Sequence, residues 1–152
     1  MMEWQIVTFD QLDTYTLYEL LQLRTDVFVV EQNCPYPELD GKDLHQETRH
    51  LLLKKQGKLI GYCRLLPPGV SYAGFPALGR VCVAQTARRL GLGELLVAKA
   101  IGQATELWPA TDLYISAQCY LQRFYESLGF VAASEPYLED DIPHLKMIRP
   151  AS

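Results

Sequence analysis

Between Leu78 and Leu96 the chain carries the residue types that hold a phosphate. An apolar strand, Leu78-Gly-Arg-Val81-Cys82-Val83, runs into Arg88-Arg89, then Leu90-Gly91-Leu92-Gly93-Glu94, then an amphipathic stretch. The first N–H groups of a helix lack intrahelical partners, and the helix dipole favours negative charge beside them. Gly91 and Gly93 have no Cβ to keep an anion off the backbone. Arg88 and Arg89 add charge-assisted donors at the same spot. Alone, the pattern specifies only an anion at a helix start. A dinucleotide fingerprint fails because Leu96 stands where the third glycine belongs, and Glu106 follows no second strand. No Gly-Lys-Ser/Thr is present, which excludes a P-loop.

Further along, Ser116-Ala-Gln118 leads into Leu121, Phe124, Tyr125 and Leu128, one apolar face of a helix. On periodicity alone Tyr125 is a core aromatic. Gly129 occupies a left-handed C-cap position, with Phe130 folding back on the last turn. Three residues suit proton transfer: Glu31, His50 and His144. Each alone reads equally as a surface or structural residue. Glu38, Asp40, Asp43 and Glu47 make an acidic loop, read first as a solvated surface and second as a lure for a cationic amine. Their spacing does not match a calcium loop, so no metal is expected.

These groups need a scaffold. The 152 residues suit one domain spanning 1–152, with 49% apolar and 21% charged residues, as in ordinary globular chains. A net charge of -4 argues against nucleic-acid binding. Cys34, Cys63, Cys82 and Cys119 show no C-x-x-C spacing and read as reduced, mostly buried thiols. No signal peptide or membrane span is visible, so the expected compartment is the cytoplasm.

Strand patterns cover Trp4–Phe9, a hairpin at 50–55 and 58–66 around Gln56-Gly57, then Ala77–Val83, Leu113–Ala117, 130–133 and 144–148. The last two are joined by the acidic turn Glu139-Asp-Asp141. Thr16 to Glu19 has capping-box form and starts a helix through Phe28, which Pro35 and Pro37 stop. A second helix follows Gly91 and a third contains Tyr125. The order β α β β β α β α β β implies an α/β domain with a mixed sheet.

The phosphate loop Arg88-x-x-Gly91-x-Gly93 and the segment ending Phe124-Tyr125-x-x-x-Gly129-Phe130 resemble the two signatures of the GNAT family of acetyltransferases. Leu20 to Tyr36, with Phe28-Val-x-Glu31-Gln32, Asp40-Gly-x-Asp43, Arg49-His50, Gly79-Arg80-Val81 and Ile142-Pro-His144, is similar to the ElaA-like branch over nearly the whole chain. The resemblance implies a mixed, mostly antiparallel sheet flanked by helices and N-acetyl transfer from acetyl-CoA to an amine. It implies that Arg88, Arg89, Gly91, Leu92, Gly93 and Glu94 hold the pyrophosphate. It also implies that Val81, Cys82 and Val83 meet the pantetheine through backbone, with Gln118 near the same arm. Tyr125 is implied as the general acid, and the segment from Glu31 to His50 as the wall of the acceptor pocket. A non-enzymatic acyl-CoA-binding or sensing module is the alternative. The oligomeric state stays open between monomer and homodimer.

Overall fold

The computed structural model describes residues 1–151; Ser152, the last residue of the expected 1–152 unit, lies outside them. The strands are β1 (Met2–Val7), β2 (Arg49–Lys55), β3 (Lys58–Leu66), β4 (Ala77–Val83), β5 (Leu113–Gln118), β6 (Val131–Ala132), β7 (Tyr137–Glu139) and β8 (Ile142–Arg149). The α-helices are α1 (Thr14–Thr25), α2 (Leu92–Leu107) and α3 (Gln122–Glu126). They form one mixed sheet in the order β1-β2-β3-β4-β5-β8-β6, with β7 also paired to β8.

The helices cover both faces because the strands alternate. Leu51, Leu53, Cys63 and Leu65 point to the face covered by α2 and α3, where Leu96, Val97, Ala100 and Tyr125 meet them. Leu52, Leu59, Tyr62 and Cys82 point to the other face, against Leu17, Leu20 and Leu21 of α1. α2 sits close to the sheet at Gly61, where a Cβ would lie 2.9 Å from Leu96 Cδ1.

Three local features differ from the sequence expectation. α1 begins at Thr14, not Thr16, because the Asp13 side chain accepts from the Thr16 N–H at 2.7 Å and caps the first turn. Regular α geometry then ends at Thr25, and Asp26–Glu31 form a wider π turn. Wide turns of this kind rotate later side chains off the helix stripe. Phe28 and Val29 therefore reach the cavity described below. A further strand, β7, forms inside the expected acidic connection and pairs with β8 through Tyr137↔His144 and Glu139↔Ile142.

One strand pair positions the site. Among the described residues β4 and β5 are the only parallel neighbours in the sheet, and they register at Ala77↔Tyr114 alone. Beyond that point they separate. β4 also carries an extra residue opposite β3, since Tyr62 faces Cys82 while Arg64 faces Gly79. Arg80 sits in this bulge with φ of 54°. A bulge bends its strand and raises its twist, which carries β4 away from β5.

Candidate active site

A cavity of about 470 Å³ fills the gap between the separating strands. Leu78 to Val81 and Ile115 to Gln118 form its sides, Leu121 and Tyr125 one end, and the 28–42 segment and the β7–β8 turn its roof. The exposed backbone edges of β4 and β5 lack strand partners here, so they are free to bond an extended ligand. Val81 and Val83 pack toward the α2 core, whereas Cys82 points to the opposite face. Cys82 is 4% exposed, and burial pushes its thiol up to about 12, so it is a structural strand residue rather than a nucleophile.

Tyr125 is anchored by the end of its own helix. Gly129 has φ of 96°, Phe130 N–H donates to Tyr125 O at 3.1 Å, and Gly129 N–H donates to Glu126 O at 3.1 Å. That is a Schellman motif, and its apolar contact is the Tyr125–Phe130 ring pair at 5.6 Å. Phe124 packs edge-on from the other side at 5.1 Å. Burial pushes the Tyr125 phenol well above the ordinary tyrosine range, so it stays protonated. The residue still reaches the cavity wall.

The glycine loop opens α2. Gly91 is the N-cap in the left-handed region, φ 73°, and no side chain caps the helix. Leu95 N–H donates to Gly91 O at 3.3 Å as the helix opens, which leaves the N–H groups of Leu92, Gly93 and Glu94 to other partners. The Leu92 side chain is buried in the core and Glu94 is exposed. A Cβ at Gly93 would meet only Phe124 at 3.7 Å, so the fold does not demand glycine there. Arg89 is exposed with φ of 67°. Arg88 turns elsewhere: its Nη2 pairs with Glu31 at 2.8 Å and its Nε donates to Val83 O at 3.2 Å.

The proton-transfer candidates separate in space. His50 is fully buried and does not line the cavity. Its Nε2 meets Asp43 O at 3.1 Å and its Nδ1 meets Tyr62 Oη at 2.6 Å. A carbonyl only accepts, so Nε2 carries the proton and Nδ1 accepts from Tyr62. Burial lowers its pKa despite the bond to Asp43, and both nitrogens are taken. Glu31 is tied to Arg88 and is not on the cavity wall. His144 is on the wall. Its Nδ1–H donates to Ile142 O at 2.7 Å, its Nε2 lies 3.5 Å from Glu139 Oε2, and its ring stacks on Tyr137. Gln118 also lines the cavity and meets Gln32 at 3.5 Å.

The acidic loop is neither solvated nor free. Glu38, Asp40 and Asp43 are bound by three arginines that spacing alone did not single out. Arg24 donates to Glu38 and Asp43, both at 2.8 Å; Arg64 pairs with Asp40 at 2.5 Å and Asp43 at 3.0 Å; Arg80 donates to Glu38 at 2.8 Å. Burial opposes ionisation of Asp40 and Asp43, but the arginines outweigh it and hold both carboxyls below the usual range. Asp40 and Glu47 are exposed residues, and among the described residues only Glu47 of the four makes no ion pair. The available signal was Arg64 inside the apolar run Lys58–Leu66, since an arginine buried in a strand demands carboxylates. Among the described residues no group of three or more His, Cys, Asp or Glu gathers as a metal set, and no helix is long and apolar enough to cross a membrane.

Comparisons with known proteins extend over most of the chain. The family model for the acetyltransferase (GNAT) domain matches residues 18–149. Protein ElaA of Escherichia coli (strain K12) is 43% identical over 149 residues, covering 98% of this chain and 97% of the relative. A crystal structure of an acyl-CoA N-acyltransferase from Pseudomonas aeruginosa superposes with a TM-score of 0.93 at 48% identity, covering 98% of this chain and 99% of that one. The crystal structure of Escherichia coli ElaA gives 0.91 at 42% identity, with 98% and 99% covered.

Proposed function

The chain belongs to the GNAT acetyltransferase family, and on that premise we propose that it transfers an acetyl group from acetyl-CoA to a primary amine by direct attack on the thioester. The observation that carries this reading is the separation of β4 from β5 after one register pair, beside the uncapped start of α2. A slot with free backbone on both edges suits the pantetheine. The N–H groups of Leu92, Gly93 and Glu94, with Gly91 and Arg89, suit the pyrophosphate. Arg88 joins them if it exchanges Glu31 for phosphate.

An alkylammonium of pKa about 10.4 must lose a proton before it attacks. Of the three candidates we assign this to His144, because it lines the cavity with Nδ1–H fixed by a carbonyl. Its Nε2 lone pair is left to take the proton, and Glu139 balances the resulting charge. The amine nitrogen bonds the thioester carbon, and a backbone N–H of the Val81–Val83 edge stabilises the oxyanion. The C–S bond then breaks. The departing thiolate, conjugate to a thiol of pKa about 8.5, takes a proton from Tyr125, and the amine's proton restores the balance. His50 serves the fold, not the proton transfer. Titration calorimetry with acetyl-CoA and thiol release across small amines test the proposal. Absence of acetyl-CoA binding, or full turnover by Tyr125→Phe, would overturn it.

A further inference from the structure

One wall of the cavity holds a cation that the protein does not neutralise. Lys42 lines the cavity, and its Nζ donates to Ser71 Oγ at 2.9 Å. Among the described residues it makes no ion pair, whereas Arg64 and Arg80 on the same wall are each held by carboxylates. The Tyr72 ring packs on Tyr114 at 5.0 Å, which puts Ser71 and the Lys42 ammonium bonded to it near the Ala77↔Tyr114 pair that joins the two strands. A second wall is the β7–β8 turn, which brings Glu139 and Asp140 to the cavity beside His144. The Glu139 side chain is 46% exposed.

The two walls are tied together overhead. Tyr36 Oη donates to Asp141 Oδ2 at 2.6 Å, and Cys34 Sγ donates to Asp140 O at 3.3 Å. Asp140 and Asp141 both sit in the left-handed region, with φ of 53° and 61°, so the turn is bent toward the 33–37 segment. The roofed space of about 470 Å³ must also admit the thiol end of the coenzyme. What remains suits a small molecule, not a folded protein segment.

From this polarity we propose that the acceptor is a small amine that also carries a carboxylate: a free amino acid. Lys42 and Ser71 hold the carboxylate, and the amine faces Glu139 and His144. The inference rests on the acetyltransferase reading and adds its substrate class. The new bond joins the amino nitrogen to the acetyl carbon. The C–S bond breaks, the amine's proton goes to His144, the thiolate takes one from Tyr125, and the His144 proton returns to the Tyr125 phenolate through solvent.

The experiment pairs free amino acids with their carboxamides, which keep size and amine but lose the charge. Thiol release is read with the full chain and acetyl-CoA. At least one acid should exceed its amide in kcat/KM by about 10- to 100-fold, the range of a hydrogen bond to a charged group. Lys42→Met should collapse that ratio through KM for the acid, and Lys42→Arg should restore part of it. Equal use of acid and amide, or a ratio that survives Lys42→Met, overturns the proposal. If no pair turns over, melting of the CoA-loaded protein decides: a larger upward shift with an acid than with its amide is expected, and equal shifts overturn it. Calorimetry with acetyl-CoA separates the two readings. Normal coenzyme binding without acid preference refutes the substrate class alone, whereas absent binding refutes the acetyltransferase reading beneath it.

Discussion

Arg24→Met tests whether charge, rather than apolar packing, holds the 33–48 segment on the cavity. Arg24 is fully buried, donates at 2.8 Å to both Glu38 and Asp43, and lies 5.6 Å over the Tyr62 ring. Methionine keeps much of the stem's packing but leaves the buried carboxylates short of a cation. Breaking a buried pair on one side costs about 3–5 kcal/mol. For a chain of this size each kcal/mol moves Tm by roughly 2–4 °C, so Tm should fall by roughly 6–20 °C at pH 7. The pH dependence carries a second test. Asp40 and Asp43 have folded-state pKa values below the unfolded value of about 3.9. Their contribution is therefore complete above about pH 4 and is lost as pH falls through the folded values. The variant has already lost part of what holds Asp43 down, so the gap to wild type should narrow in acid. Melts by circular dichroism from pH 7 to pH 3 measure both effects. A loss below about 1 kcal/mol, or a gap constant down to pH 3, would mean that the network is effectively solvated.

Gly93→Ala should leave Tm within about 2 °C, because the added Cβ meets Phe124 at an ordinary 3.7 Å. Acetyl-CoA affinity by calorimetry should nevertheless fall at least tenfold if phosphate approaches the backbone there; unchanged affinity removes Gly93 from the cradle. Tyr125→Phe keeps the ring contacts to Phe124 and Phe130 and removes the donor, so kcat should drop by about 10²–10⁴ with little change in acetyl-CoA affinity. A matched loss of affinity and turnover would point to a packing defect. His50→Gln should lower Tm while leaving the shape of the kcat/KM pH profile intact. The folded-state pKa of His50 lies below the unfolded value of about 6.5, so wild-type stability declines as pH drops beneath it, and the variant should lack that slope. A catalytic limb that disappears in His50→Gln would return His50 to the proton path.

The fold was legible because its elements are locally consistent. The Gln56-Gly57 hairpin, the helix opened by Gly91 and closed before Pro109, and the Gly129 cap each rest on chemistry within a few residues. The candidate site could be read from sequence only where it is local too. The glycine loop is contiguous, and Tyr125 stands at a fixed offset from its own C-cap. What could not be read is set by residues far apart in the chain. His50 looks like any strand-opening histidine until Asp43 and Tyr62 occupy its nitrogens. Glu31 and Arg88 are separated by 57 positions, and nothing local in either predicts that they meet. The acidic loop reads as solvated because the 33–48 stretch as a whole is irregular and rich in charged and polar residues. Its arginines come from α1, β3 and β4, all outside the loop.

Arg80 shows how one local event shapes both halves of the site. A non-glycine residue with φ of 54° is disfavoured by about 1–2 kcal/mol, and it persists only where surrounding contacts over-determine it. Here the contacts are the Glu38 carboxylate at 2.8 Å, the Glu38 carbonyl at 3.3 Å, and the Phe28 ring 6.0 Å below the guanidinium. Phe28 is available because α1 widens into its π turn, and Glu38 is held from behind by Arg24. The same extra residue bends β4 away from β5 and frees the strand edge that a pantetheine needs. The proposed coenzyme slot and the proposed acceptor wall are thus coupled through a single bulge. Retaining the slot while changing the acceptor should therefore proceed through residues such as Lys42 and Ser71, which touch the cavity but take no part in holding the bulge.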